Sequence, residues 1–284
     1  MLQAPAAGEG LGPMQGNWPR EGAPAIVVTG ASFGIGRELA LVAAREGLPL
    51  LLVARSATAL ASLVEELAAQ GATAHALPLD LAAPEAAIRV GEALHERGLT
   101  CEMLVNNAGF GLTGLAHALD AGEQAGMVAL NVQALTTLTL AALPAMVARR
   151  RGGVLLVGSV AGFIPGPGMA VYYASKAFVR SFADALWSEL HNRGVAITNL
   201  APGPVDTGFL DRAGIGRHSR FRLLPQATAR QVAEQGWRGF RQSKRLVVPG
   251  MGNRALVTLA PLLPTRLVLA GVKALQLRRR RVKP

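Results

Sequence analysis

Cysteine is nearly absent. Cys101 stands alone in 284 residues, so an intramolecular disulfide is impossible and a cysteine-built metal cluster is excluded. It lies just before an apolar run and reads as a core thiol. Histidine is scarce too. The five, at positions 75, 95, 117, 191 and 218, form no close ligand pair, so metal catalysis has little support. Aromatic residues make up 5% of the chain, and its only two tyrosines are adjacent, Tyr172 and Tyr173. The first 22 residues lack the basic start and apolar run of a secretory signal. They are rich in Gly, Pro and Ala and read as a flexible leader. A cytoplasmic protein is expected.

Acids are in deficit, 18 against 29 Lys and Arg, for a net charge of +11. The excess sits at one end. Arg266, Lys273, Arg278, Arg279, Arg280, Arg281 and Lys283 follow one another with no acid between them, which leaves +4 for the rest of the chain. Such a tail suits anionic lipid, nucleic acid, an acidic partner or plain solvation. Nucleic acid is disfavoured, because aromatic interleaving and any recognition motif are missing.

What is present is apolar. Half of the residues are hydrophobic, and a chain of this length can bury one substantial core. Short apolar runs alternate with helical periodicity. Strands are predicted at 25–29, 48–54, 73–79, 103–105, 154–157 and 195–198, with a seventh at 245–248. Helices are predicted at 36–46, from after residue 54 to about 70, at 84–97, over a long region to about 150, and from the Tyr172 segment to a stop at Gly194. Thr228 and Gln231 have capping-box spacing and open a helix to about 242. Continuous apolar strands between helices mean a parallel sheet covered on both faces, a doubly wound α/β fold. In such folds ligands bind beyond the carboxyl ends of the strands. Residues 207–227 lack periodicity and read as a binding loop or lid.

Three motifs stand after strands. Gly30, Ser32, Phe33, Gly34, Ile35 and Gly36 belong to a T-G-x3-G-x-G loop between the first strand and the first helix. Its glycines permit a tight turn and close approach of backbone to a pyrophosphate, and the helix N-terminus faces that anion. Arg55 ends the second strand, 19 residues after Gly36. An acid there would favour NAD. An arginine, with Ser32 and Ser56 nearby, can pair with a 2′-phosphate and favours NADP(H), with NAD(H) the lesser alternative. Tyr172 and Lys176 lie four residues apart, on one face of a helix. A cation fixed beside a phenol favours phenolate, which suits proton exchange with an alcohol or ketone.

Together these residues resemble the short-chain dehydrogenase/reductase family. Besides the glycine loop, Asn106-Asn107-Ala108-Gly109 matches its N-N-A-G. Ser159 precedes Tyr172 by 13 residues, and Pro202-Gly203-Pro204-Val205-Asp206-Thr207 matches its P-G-x-V-x-T. The likeness covers about residues 24–250. It implies a single Rossmann-type domain over 23–250, with seven parallel strands and helices on both faces, plus a helical, basic extension over 251–284. It also implies roles. Tyr172 would be the general acid/base, and Lys176 would lower its pKa and bond the nicotinamide ribose. Ser159 would hold the substrate oxygen, and Asn131 would position a water behind Lys176. Asp80, with Leu81, would contact the adenine. Asn107, Ala108 and Gly109 would line the cofactor, and Pro202, Gly203, Val205 and Thr207 would flank the nicotinamide. Tyr173 is assigned to packing or the substrate wall.

The resemblance thus implies an NADP(H)-dependent oxidoreductase for a carbonyl/alcohol pair. The apolar and basic loop 208–226 leans toward a hydrophobic substrate. A 3-oxoacyl carrier-protein reductase and a catalytically silent NADP-binding sensor are the competing readings. The family commonly forms dimers or tetramers, so a homodimer or homotetramer is expected. Residues 254–277 carry prolines at 261 and 264 and no uninterrupted apolar run of the ~18 residues that span a membrane. Two short helices around a break are predicted, suited to a membrane surface or to packing against the core or another subunit.

Overall fold

The computed structural model describes residues 18–206 and 227–276. Seven strands form one parallel sheet: β1 (Ala23–Thr29), β2 (Leu50–Ala54), β3 (Ala74–Pro78), β4 (Leu99–Asn106), β5 (Gly153–Val157), β6 (Ala196–Leu200) and, after a separate short pair, β9 (Leu246–Val247). Their order is β3-β2-β1-β4-β5-β6-β9. The chain moves outward from β1 to β3 and then crosses back to β4, so the order reverses between β1 and β4. That reversal is the crevice where doubly wound folds bind ligands.

Neighbouring residues of one strand enter opposite cores. Val27, Leu51, Val53, Leu104 and Leu156 face one side. Ile26, Val28, Leu52, Val105 and Leu155 face the other. With both faces dry, alternation disappears from the sequence, which is why β1 and β2 read as unbroken apolar runs. The first core is covered by α3 (Ala86–His95), α5 (Leu135–Ala148) and α6 (Ala170–Leu190). The second is covered by α1 (Gly34–Ala43), α2 (Ala57–Ala69) and α7 (Ala229–Arg241). In α2 the buried residues are Leu60, Leu63 and Leu67, one helical stripe. Each contributes about 1.5–3 kcal/mol by leaving water.

The predicted helix signals hold. Gly194 ends the α6 region at φ 75°. Thr228 and Gln231 form the reciprocal capping box of α7. The long region before β5 is α4 (Ala121–Val128), a π-helical turn (Ala129–Ala134) and α5, with Pro144 inside α5. On either side of the break at Pro261 and Pro264, α8 (Met251–Leu259) and α9 (Thr265–Gln276) build the expected pair of C-terminal helices.

Two features depart from the sequence reading. The leader does not extend to residue 22. Trp18 is 2% exposed, and its indole N–H donates to the Ala87 carbonyl at 2.9 Å. The Thr100 hydroxyl donates to the Pro19 carbonyl at 2.6 Å. A buried Trp with its N–H satisfied fixes the chain there, so Trp18 belongs to the folded unit. The second departure is a short parallel pair, β7 (Val205–Asp206) with β8 (Ala227–Thr228), bracketing the aperiodic segment. The predicted loop 208–226 and Thr207 lie outside the described residues.

Candidate active site

Thr29 ends β1, and the chain must turn at once into α1. Gly30 makes that turn at φ 65°, a conformation that favours glycine. Gly36 sits where no side chain fits: a Cβ there would lie 2.1 Å from the Gly30 carbonyl oxygen. The backbone of the loop is thereby folded onto the first turn of α1. Phe33, at the N-cap, supplies no side-chain cap, and the first turn holds no acid. Such a helix start suits an anion at its N–H groups.

The loop after β4 locks this turn. Asn107 Nδ2 donates to the carbonyls of Thr29 (3.0 Å) and Gly30 (3.2 Å). The Thr29 hydroxyl accepts from the amides of Asn107 (2.9 Å) and Ala108 (3.1 Å). Asn106 turns inward instead, donating to the Leu135 carbonyl at 2.9 Å. Of the two asparagines, Asn107 reaches the crevice and Asn106 holds helix α5.

Beyond β2, Arg55 and Ser56 are exposed. Ser56 caps α2 by accepting from the Ala59 amide. Arg55 has no ion-pair partner among the described residues. Arg37, by contrast, is engaged by Glu66. After β3, Asp80 Oδ1 accepts from the Ala82 amide at 3.0 Å, and Leu81 is buried beside it.

The chemistry-bearing side chains converge at the ends of β5 and β6. Ser159 follows β5, and its hydroxyl lies near enough to the Tyr172 phenol to favour phenolate. It also donates to the Pro202 carbonyl at 3.4 Å and accepts from the Ala161 amide at 3.1 Å. Lys176, one turn along α6, is 5% exposed. Its ammonium donates to the Val157 carbonyl at 2.9 Å, with Nζ 6.0 Å from the Tyr172 ring centroid.

This geometry corrects one expectation. Lys176 does not depress the Tyr172 phenol here. Burial pushes that phenol up to about 12, outweighing the opposite pull of the Ser159 hydroxyl. Burial also pulls the Lys176 ammonium down to about 8. Two buried groups each favour the neutral form, and the ammonium spends its hydrogen bond on β5 instead of the phenol.

Asn131 lies in the π-helical turn and is fully buried. Its amide grips the Phe110 backbone twice, accepting from the N–H at 3.0 Å and donating to the C=O at 2.9 Å. It also donates to the Ser175 hydroxyl at 3.1 Å. The side chain therefore does the bridging work of a helix irregularity. Asn131 and Lys176 still meet at Gly109, where a Cβ would lie 2.9 Å from Asn131 Oδ1 and 3.7 Å from Lys176 Nζ.

A cleft of about 560 Å³ runs from the glycine loop to Tyr172. Every described residue named from the sequence lines it, apart from Asn131. Its far end adds residues that the motifs did not announce, among them Phe110, Ala161 and Met169, beside Tyr173, which was assigned to packing or the substrate wall. Tyr173 packs edge-on against Tyr172 with centroids 6.1 Å apart. Its hydroxyl accepts from Gln276 of α9. Phe110 follows the N-N-A-G run directly and was within reach of sequence reasoning. Gln276 was not, being 103 positions away from its partner.

A glycine-loop crevice beside a buried Ser–Tyr–Lys cluster defines a dinucleotide-binding oxidoreductase site. The profile of the short chain dehydrogenase family matches residues 24–217, and the chain belongs to that family. It is thus an oxidoreductase acting on alcohol and carbonyl groups with a nicotinamide cofactor. Sulfoacetaldehyde reductase from Chromohalobacter salexigens is 36% identical over 217 residues, covering 74% of this chain and 85% of that protein. A short-chain dehydrogenase from Sphingobium yanoikuyae, solved with NADPH, superposes with a TM-score of 0.75 at 30% identity, covering 92% of this chain and 98% of that one. A family member from Burkholderia phymatum, solved with NAD, gives 0.74 at 26% identity, covering 84% and 93%.

Proposed function

We propose that this protein is an NADP(H)-dependent reductase/dehydrogenase that interconverts a hydrophobic ketone or aldehyde and its alcohol, with Tyr172 as general acid/base. The observation that carries this reading is the placement of the Ser159 hydroxyl beside the Tyr172 phenol at the cleft, with Lys176 buried one turn away. NADP(H), when bound, supplies or accepts the hydride.

The chain's own residues do the rest. The glycine loop and the first turn of α1 hold phosphate, and Arg55, without an ion-pair partner among the described residues, offers its guanidinium for a 2′-phosphate. Ser159 and Tyr172 grip the carbonyl oxygen and polarise it. Tyr172, protonated well past neutral pH, gives that oxygen its proton as the alcohol forms. Lys176, buried one turn along α6, would return a proton to the phenol through a relay rather than by direct contact. Asn131 holds the Phe110 backbone and so the wall against which Lys176 lies. Phe110, Met169 and Tyr173 favour an apolar substrate. This reading places the enzyme in the cytoplasm as a homodimer or homotetramer. Exposed Leu140 on α5, and Phe178 stacked on Phe182 of α6, support pairing through those helices.

Tyr172→Phe tests the assignment. The acid/base group would be lost while the packing stays, so turnover should fall by about 10²–10⁴-fold. NADPH fluorescence titration should show nearly intact binding. Turnover within a few-fold of the parent would remove Tyr172 from the mechanism.

A further inference from the structure

The C-terminal extension is apolar where a folded surface is normally polar. Met251 is 84% exposed, Leu259 57%, Leu262 77%, Leu263 52% and Leu267 62%. Single exposed leucines are ordinary, but a contiguous group of them marks an interaction site. Leu259, Leu262, Leu263 and Leu267 follow one another around the corner between α8 and α9. The charge of the same stretch has one sign. From residue 251 to the end there is no Asp or Glu, while Arg254, Arg266, Lys273 and the bases at 278–281 and 283 are all present. Arg254, Arg266 and Lys273 are exposed among the leucines.

We infer that the α8–α9 face is a docking surface for an anionic lipid bilayer. Exposed leucines set among bases, with no acid, are what an interfacial helix offers to lipid: apolar side chains for the acyl boundary and cations for the headgroups. A second copy of the chain is the poorer occupant. A two-fold interface apposes the same patch to itself, and here that would bring Arg254, Arg266 and Lys273 of both copies together with no acid in the patch to receive them.

The position of the face adds a consequence. Val257 of α8 packs against Val160, Ala201 and Val248 beside the cleft. Gln276 of α9 donates to the Tyr173 hydroxyl in the cleft wall. The lipid-facing helices are therefore tied to the apolar end of the site. That link rests on the carbonyl-reductase reading above and points to a lipophilic carbonyl compound taken from the bilayer. The docking itself does not depend on that chemistry.

Co-sedimentation of the full chain with vesicles of phosphatidylcholine, alone or mixed with phosphatidylglycerol, tests the docking. The parent should pellet with the mixed vesicles, weakly with phosphatidylcholine alone, and less as salt is raised. Leu262→Glu/Leu263→Glu should bind mixed vesicles at least about tenfold more weakly. NADPH binding by that variant should be unchanged, which shows that it folds. No pelleting of the parent with mixed vesicles, or equal pelleting of parent and variant, would overturn the inference. So would a smaller species for the variant in light scattering, since that makes the face a subunit contact. Vesicle binding without any carbonyl turnover would leave the docking standing and overturn the reductase reading instead.

Discussion

The two ends of the cleft are built differently. At the cofactor end, positions are fixed by backbone in close contact. Gly36 lies against the Gly30 carbonyl, Asn107 ties both Thr29 and Gly30, and the Thr29 hydroxyl receives two amides. At the substrate end, Phe110, Met169 and Tyr173 offer apolar surface, and Tyr173 is held by a residue from the last described helix. A pyrophosphate is the same in every nucleotide, so its cradle leaves little freedom. A substrate wall can change without disturbing that cradle.

The comparison can be broken most directly at Gly36. Gly36→Ala would drive a methyl into backbone that cannot move aside cheaply, at a cost of about 1–3 kcal/mol or more. Thermal unfolding should move down by several degrees, and NADPH affinity by at least about tenfold, since the phosphate cradle itself is displaced. A variant with parental melting and affinity would show that the close contact does not matter.

Next in size is Arg55→Asp. Losing a guanidinium–phosphate pair and adding a like charge should raise the KM for NADPH roughly 10- to 100-fold and that for NADH much less. Equal losses for the two cofactors would withdraw the NADP preference.

A smaller effect is expected at the other end. Gln276→Leu removes the donor to Tyr173, worth about 0.5–1.5 kcal/mol. It should raise the KM of a bulky ketone a few-fold and leave NADPH binding alone. A matching change in cofactor affinity would mean that the two ends are not separable.

A separate effect concerns pH. Lys176 has a folded pKa of about 8 against an ordinary 10.5. Between those values the unfolded chain holds more protons, so its contribution to stability rises with pH across that window and is flat below it. Lys176→Met should therefore gain melting temperature over the parent at pH 7, and the gain should shrink toward pH 10. A constant difference would mean that the ammonium is not desolvated as the structure has it.

The same contrast explains what was legible in the sequence. The glycine loop, Asn107, Arg55, the Ser159–Tyr172 spacing and the Thr228 capping box depend on neighbours a few residues away or on one strand-end register. Their patterns survive in the letters. Trp18 was read as leader because its partner Ala87 lies 69 positions on. Gln276 was invisible for the same reason. The pKa shift of Tyr172 was misjudged because four-residue spacing brings Lys176 near, while packing decides where its ammonium points. Here it points at the Val157 carbonyl.

The most direct test of the whole account is consumption of NADPH by the parent protein with ketones, aldehydes and oxoacyl thioesters, followed by absorbance. The expected result is protein-dependent loss of NADPH with hydrophobic ketones or aldehydes, and alcohol formed in step. NADPH bound with no carbonyl reduced would contradict it and leave a nucleotide sensor in the place of an enzyme.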